Sequence, residues 1–141
     1  MRGVGFLLFA CCLFAAMAPA RAEWTDAERA SIQDVISRQL EAFKRDDGAA
    51  AFAFASPTIR RQFESPDRFL AMVREGYRPV YRPKAVTFGR LVEASGAPIQ
   101  EVLILGKDGV GYLAAYQMER QDDGSWRIAG CVLARGRGEP I

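Results

Sequence analysis

Two adjacent carboxylates, Asp46 and Asp47, are the side chains of this sequence best suited to acid–base chemistry. An Asp carboxylate can abstract a proton from carbon while a Tyr hydroxyl, here Tyr77 or Tyr81, stabilises the oxyanion that forms, as in isomerases and dehydratases. The alternative interpretation is structural, because Asp residues before a glycine such as Gly48 commonly cap helices and form turns. We favour the structural interpretation, so we predict no catalytic residue and keep the two aspartates only as candidates.

Aromatic and basic side chains are the candidates for ligand binding. Tyrosines that line a cavity can donate hydrogen bonds to a ligand, although tyrosines more often pack in a core. Eight basic and three acidic residues lie between positions 60 and 90, against four basic and seven acidic residues between 23 and 47. Such a basic segment can hold an anion or a partner, or it can be a solvated and internally paired surface. The predicted ligand-binding candidates are Tyr77, Arg78, Tyr81, Arg82, Tyr112 and Tyr116.

Metal and cofactor chemistry has little support in this sequence. The chain contains no histidine, which excludes His-based zinc sites and His-dependent triads. Cys131 lies in an apolar segment, where a buried thiol is usually inert packing. We therefore predict no metal site and no cofactor.

The first 22 residues are typical of a cleaved secretory signal. Arg2 supplies the positive start, residues 4–17 are apolar, and Ala20-Arg21-Ala22 offers small residues for cleavage before Glu23. The apolar run is shorter than the roughly 20 residues of a membrane helix. We predict a periplasmic or secreted protein with no membrane span after cleavage.

Cleavage would change the thiol count and the charge of the protein. Cys11 and Cys12 would leave with the signal, so Cys131 would be the only thiol and no internal disulfide could form. A lipoprotein signal ending at Cys11 is a weaker alternative. Loss of Arg2 and Arg21 would reduce the 19 basic residues to 17, equal to the 17 acidic ones, and abolish the formal charge of +2. We therefore predict no nucleic-acid partner.

A long amphipathic helix is predicted over residues 25–45. Thr25 and Glu28 have the spacing of a capping box, and Gly48 is predicted to end the helix. One stripe of the helix is apolar and needs a cover from the rest of the chain. That stripe consists of Ile32, Val35, Ile36, Leu40 and Phe43.

Shorter helices and then strands follow. Ser56-Pro57 and Ser65-Pro66 each predict a helix start, with Ser as the cap and Pro in the first turn. Pro79 and Pro83 favour an extended segment over residues 77–81. The predicted helices are 49–55 and 65–75, with a short turn over 57–63 between them, and the predicted strands are 85–92, 99–105, 111–120 and 126–134.

Helices followed by strands with short turns predict an α+β fold, in which N-terminal helices pack into a curved four-stranded antiparallel sheet. The predicted domain spans residues 23–134, and residues 135–141 form a flexible tail. In the last strand, Trp126, Ile128, Gly130 and Val132 are predicted to share one face. Both faces of the sheet are fairly apolar, so the outer face is a candidate homodimer surface.

Three motifs carry a resemblance to a known family. They are Gln39-x-x-Ala42-Phe43-x-x-Asp46-Asp47, Phe69-x-x-Met72-Val73-Arg74-x-Gly76-Tyr77-x-Pro79-Val80-Tyr81-Arg82-Pro83, and Asp123-Gly124-x-Trp126-Arg127-Ile128-x-Gly130-Cys131. The mature chain resembles a bacterial family of exported domains of unknown function, within the nuclear-transport-factor-2-like superfamily that includes ketosteroid isomerases. The resemblance implies a cone with a cavity between helices and sheet, and it implies no reaction.

Three functional hypotheses remain open. The first is a non-catalytic exported domain that binds a small ligand or a protein partner. The second is an isomerase or dehydratase that uses an Asp and a Tyr in one pocket. The third is a structural module with a filled core.

Overall fold

The first helix begins at the predicted capping box. The structure is a computed structural model that describes residues 23–136, and the predicted signal peptide lies outside the described residues. Helix α1 spans Asp26–Lys44. The Thr25 hydroxyl accepts a hydrogen bond from the Glu28 amide at 3.1 Å, and the Glu28 carboxylate accepts one from the Thr25 amide at 2.9 Å. Both halves of the capping box are therefore formed, as predicted.

The apolar stripe of α1 is buried as predicted. Ile32, Ile36, Leu40 and Phe43 lie in the hydrophobic core, and the half-buried Val35 packs against it. Helix α1 therefore gains most of its stability from packing rather than from intrinsic helix propensity.

The end of α1 differs from the prediction. The helix ends at Lys44, and Asp46 rather than Gly48 takes the left-handed backbone conformation, with φ of 54°. Asp is among the few residues that tolerate this region, because its short polar side chain can hydrogen-bond locally. Gly48 instead begins the next helix.

Three further helices follow with side-chain caps. Helix α2 spans Gly48–Ala53, α3 spans Pro57–Phe63 and α4 spans Pro66–Gly76. The side chains of Asp47, Ser56 and Ser65 each accept a hydrogen bond from an amide in the first turn. The Ser-Pro starts are therefore confirmed, and so is the capping role of Asp47.

The segment after α4 is helical, so the prediction of an extended segment is wrong. Helix α5 spans Arg78–Tyr81 and carries Pro79 in its first turn. A proline is tolerated there because the amide that it lacks would have no partner within the helix. Pro79 therefore lies in the first turn of a helix and does not hold the segment extended.

The sheet is the predicted antiparallel meander. Its strands are β1 (Pro83–Ala94), β2 (Ala97–Gly106), β3 (Gly111–Arg120) and β4 (Trp126–Arg135), in the order β1-β2-β3-β4. Strand β4 runs one residue beyond its predicted end, and the amide of Gly136 still donates to the carbonyl of Gly111 at 2.8 Å.

A β-bulge in β4 overturns the predicted alternation of its side chains. Gln117 pairs with Gly130 but Met118 pairs with Ile128, so Ala129 is an extra residue in β4. Because one extra residue exchanges the two faces of a strand, the side chains beyond the bulge change sides. Trp126 and Ile128 share the core-facing side, but beyond them the residues on that side are Cys131 and Leu133 rather than Gly130 and Val132.

The helices cover one face of the sheet. Among the described residues nothing covers the other face, where Val132 is 70% exposed and its cross-strand partner Ala115 is half-buried. The homodimer through this face stays a prediction. Within residues 23–136 no helix has the length and apolar character needed to cross a membrane.

Candidate functional site

A cavity of about 270 Å³ lies between the helices and β4. Its floor is the bulged part of β4 with Tyr116 of β3, and its walls come from α1, α3, α4 and α5. Gln62, an exposed residue of α3, lies at its mouth. None of the described residues that line the cavity is charged. The lining residues are Gln39, Phe43, Ala55, Ile59, Gln62, Phe63, Phe69, Met72, Val73, Tyr77, Val80, Tyr116, Ile128, Ala129, Gly130 and Cys131.

Tyr116 places an unsatisfied hydroxyl against this cavity. The side chain is 1% exposed, and its hydroxyl has no hydrogen-bond partner among the described residues. Burial raises the pKa of this phenol well above its ordinary value, and a side-chain interaction with Cys131 and the proximity of Tyr77 raise it further. The group is therefore a neutral hydroxyl beside a thiol, and because a thiol is only a weak hydrogen-bond acceptor, the hydroxyl can still donate to a stronger one.

Cys131 lies beside Tyr116, because the two residues are direct partners in the β3–β4 ladder. Burial raises the pKa of the Cys131 thiol to about 12, and the nearby Tyr116 hydroxyl opposes that rise only in part. The thiol is therefore protonated at neutral pH and is a poor nucleophile.

Two other polar side chains of the cavity are tied to backbone carbonyls. The Tyr77 hydroxyl donates to the carbonyl of Cys131 at 3.0 Å, and the Gln39 amide donates to the carbonyl of Ala51 at 3.1 Å. The first bond joins the end of α4 to the floor of the cavity, and the second joins α1 to α2. Both bonds fix the walls, so among the described lining residues the Tyr116 hydroxyl is the fully buried polar atom that lacks a hydrogen-bond partner.

Asp46 lies outside the cavity, in a cluster of charged and aromatic side chains at the protein surface. Its carboxylate accepts hydrogen bonds from the Tyr81 hydroxyl, from Arg74 at 3.1 Å and from Arg82 at 3.0 Å. The Arg82 guanidinium lies 3.9 Å from the centre of the Tyr81 ring and also donates to the carbonyl of Phe43. This Asp46 cluster joins the end of α1 to α4 and α5.

The Asp46 cluster makes its carboxylate a weak base. The hydrogen bond from Tyr81, then that from Arg74, lowers the Asp46 pKa from 3.8 to about 2, and Arg82 adds to the effect. A general base works best when its pKa lies near the operating pH. The geometry therefore assigns Asp46 a structural role beside Tyr81, and Asp47 caps α2.

A surface groove of about 570 Å³ lies on the other side of α5 from the cavity. Arg74, Arg78, Arg82 and Lys107 surround it, together with Pro79, Tyr81, Gly106, Asp108 and Tyr112. We call it the basic groove. Helix α5 is a wall that both sites share, because its Val80 lines the cavity while its other residues line the groove.

The structure divides the predicted ligand-binding residues between these two places. Tyr77 and Tyr116 line the cavity, whereas Arg78, Tyr81, Arg82 and Tyr112 line the basic groove. The Tyr112 hydroxyl donates to the Asp108 carboxylate at 2.7 Å, which lowers the pKa of Asp108.

Most lining residues were not among the predicted ligand-binding candidates, and two polar ones, Gln39 and Lys107, illustrate why. Gln39 is a polar residue on the buried stripe of α1, four positions before Phe43, and that placement is a usable signal. Lys107 lies in the turn between β2 and β3 and joins the groove only through the tertiary fold. Within residues 23–136, no group of three or more Cys, Asp or Glu side chains is placed to hold a metal ion.

Comparison with known proteins identifies the family. The profile of a family described as Domain of unknown function (DUF4864) matches residues 25–141. The chain belongs to this family. A crystal structure of a protein of unknown function with a cystatin-like fold from Nostoc punctiforme PCC 73102 is similar to this DUF4864 domain, with a TM-score of 0.53. The two share 10% sequence identity over 84% of this chain and 98% of that one, so the likeness concerns the fold alone.

The comparisons leave the activity of this DUF4864 domain unassigned. A search of curated proteins finds no match to the chain. The expected membership in a family of unknown function is confirmed, and the fold of the structural neighbour is described as cystatin-like.

Proposed function

We propose that the protein binds a small, uncharged, mostly apolar molecule in the cavity, and that Tyr116 donates a hydrogen bond to it. The observation that carries the proposal is the buried Tyr116 hydroxyl, which has no partner among the described residues. A ligand with one hydrogen-bond acceptor, such as a carbonyl, ether or hydroxyl oxygen, would satisfy that donor. The remaining lining is apolar and suits a hydrocarbon body.

The volume supports a ligand of modest size. An apolar cavity of 150 Å³ can hold benzene, so about 270 Å³ has room for a larger ring or a substituted one. The absence of charge among the described lining residues disfavours an ionic ligand, because burying an unpaired charge is costly.

Binding is better supported than isomerisation. Isomerisation would need a base in the cavity, but the titratable groups among the described lining residues are Tyr77, Tyr116 and Cys131. The pKa values of Tyr116 and Cys131 are raised. The Asp46 carboxylate lies outside the cavity, where it accepts hydrogen bonds from Arg74, Arg82 and Tyr81.

We also propose that the domain belongs to the nuclear-transport-factor-2-like superfamily and acts after export. The cavity between helices and antiparallel sheet supports the first proposal, and the sequence of residues 1–22 supports the second. Fractionation of cells that produce the full chain, followed by sequencing of the mature N-terminus, tests export. A mature protein in the periplasm or medium that begins at Glu23 is the expected result, and retention of Met1 would overturn it.

Native mass spectrometry and thermal shifts with uncharged ring compounds test ligand binding. Cyclohexanol, cyclohexanone, benzyl alcohol and indole are suitable probes. A bound probe is expected to raise the melting temperature as its concentration rises above Kd. Tyr116→Phe is expected to weaken the binding of probes that carry an oxygen atom by about 1 kcal/mol, or roughly fivefold in Kd.

A filled cavity provides the stricter control. Met72 is a half-buried lining residue, and Met72→Trp places a large ring in the space. Ile99→Trp on the outer face of β2 is the matched control, since Ile99 is also half-buried. We expect only the Met72 variant to lose binding. Equal binding by both variants, or no probe bound by the native protein, would refute the proposal.

A further inference from the structure

The basic groove brings cations together from three segments of the chain. Arg74 comes from α4, Arg78 from α5 with Arg82 directly after that helix, and Lys107 from the β2–β3 turn. Four cations and the carboxylate of Asp108 line the groove, and Asp46 lies behind two of the arginines. The groove therefore keeps an excess of two positive charges.

Two of these cationic side chains are paired with a carboxylate, and the other two have no such partner among the described residues. The Asp46 carboxylate fixes Arg74 and Arg82, and Tyr81 donates to the same carboxylate. The side chains of Arg78 and Lys107 have no hydrogen-bond or ion-pair partner among residues 23–136. Because they lie on α5 and on the β2–β3 turn, they border the groove from different elements.

The groove also offers an apolar surface. Pro79 and the rings of Tyr81 and Tyr112 line it between the cations. One face of Tyr81 is covered by Arg82. Such a lining favours a ligand that carries both an anionic group and an apolar body.

We propose that the basic groove binds a small organic anion, in which a carboxylate or phosphate group is attached to an apolar ring or chain. The anionic group lies between Arg78 and Lys107, and the apolar body lies against Pro79 and the tyrosine rings. Arg78 provides planar donors that suit carboxylate and phosphate oxygens, and Lys107 provides a point charge. This site is separate from the cavity and takes a different class of ligand.

Nuclear magnetic resonance titration of the isotope-labelled protein with phenyl phosphate tests the proposal. We expect saturable shifts at the backbone amides of Arg78, Tyr81 and Lys107. Inorganic phosphate is expected to bind more weakly. Shifts that are confined to other parts of the protein would overturn the proposal.

A pair of double variants separates the site from the general charge. Arg78→Ala with Lys107→Ala is expected to weaken the binding of phenyl phosphate by about tenfold or more, which corresponds to a loss of about 1.4 kcal/mol or more from the two charged contacts together. Arg38→Ala with Arg68→Ala removes the same charge from surface positions of α1 and α4 that pair within their own neighbourhood. We expect this control to bind normally. Equal losses in both double variants, or no loss in the first, would contradict the proposal.

Further measurements complete the test. Arg78→Lys with Lys107→Arg keeps both charges and is expected to retain most of the binding, and an unchanged melting temperature of the alanine variant shows that its loss of binding is not a loss of fold. Flotation with phosphatidylglycerol vesicles distinguishes a free anion from a lipid headgroup. A protein that floats with vesicles but does not bind phenyl phosphate would overturn the small-molecule proposal.

Discussion

Tyr116 and Cys131 are cross-strand partners whose side chains both border the interior cavity. The pair places a phenol and a thiol on the same buried face of the sheet, and the pKa of each is raised chiefly by burial. Both groups therefore stay neutral at physiological pH. The cavity floor can offer hydrogen bonds to a ligand without introducing a charge.

The Cys131 thiol is expected to react slowly. Because its pKa is raised to about 12, only a very small fraction is thiolate at pH 8, and the reagent must also reach the buried sulfur. Iodoacetamide labelling, followed by mass spectrometry of the peptide that contains Cys131, measures this rate. We expect labelling to be far slower than for glutathione and to become fast in denaturant. Labelling as rapid as that of glutathione in the native protein would contradict this assignment.

Removing the Tyr116 hydroxyl is expected to leave the stability of the ligand-free protein unchanged or slightly improved. An unpaired buried hydroxyl stabilises nothing, and Phe has nearly the same shape. Tyr77→Phe is the matched comparison, because it removes the hydrogen bond to the Cys131 carbonyl and should cost about 1 kcal/mol. Urea denaturation of both variants measures the difference. The reverse order of stability would show that the Tyr116 hydroxyl has a partner in solution.

Asp46→Asn is expected to destabilise the protein in a pH-dependent way. Asn tolerates the left-handed backbone at this position but removes the charge that Arg74 and Arg82 share. The Asp46 pKa falls from 3.8 to about 2 on folding, so its stabilisation is present above about pH 4 and is lost as the pH falls toward 2.

Thermal melts of the native and Asn variants between pH 7 and pH 2 test this dependence. The difference in melting temperature should be constant at neutral pH and disappear in acid. Asp34→Asn is the control, because Asp34 has one partner, Arg38, on the same helix. A difference for Asp46→Asn that persists unchanged at pH 2 would exclude the electrostatic explanation.

Deleting Ala129 is expected to leave Cys131 on the core-facing side of β4. Without the extra residue, Ile128 and Gly130 would pair in regular alternation with Met118 and Gln117, and Cys131 would still pair with Tyr116. The peptide that contains Cys131 should therefore react with iodoacetamide as slowly as in the native protein. Ala129→Gly keeps both the residue count and the bulge and should label at the same slow rate. Fast labelling in the deletion variant would show that Cys131 had left the core-facing side.

The sequence predicts the elements better than their details. Caps such as Thr25 and Ser56 act through neighbouring amides, so local spacing is enough to predict them. The bulge at Ala129 depends on the pairing with β3, which no local pattern in β4 encodes. The prediction at Pro79 is wrong because a proline is compatible both with an extended segment and with the first turn of a helix, and the local sequence does not decide between them.

The candidate site shows the same division. Tyr77, Tyr81, Arg78 and Arg82 are neighbours in sequence, and chemistry alone gave no reason to separate them. Helix α5 separates them, because it directs Val80 into the cavity and Arg78 and Tyr81 into the basic groove. Lys107 reaches the groove from a turn far along the chain, and only the fold brings it there.

Helix α5 is four residues long and separates the cavity from the basic groove, which has a consequence for ligand affinity at both sites. An occupant of the cavity that shifts the backbone at Val80 also shifts the adjoining backbone that carries Arg78 and Arg82. Thermodynamic linkage then requires that each ligand change the affinity of the other by the same factor. Helix α5 would thus couple the two sites, so that an apolar molecule bound in the cavity alters the affinity of the basic groove for an anion.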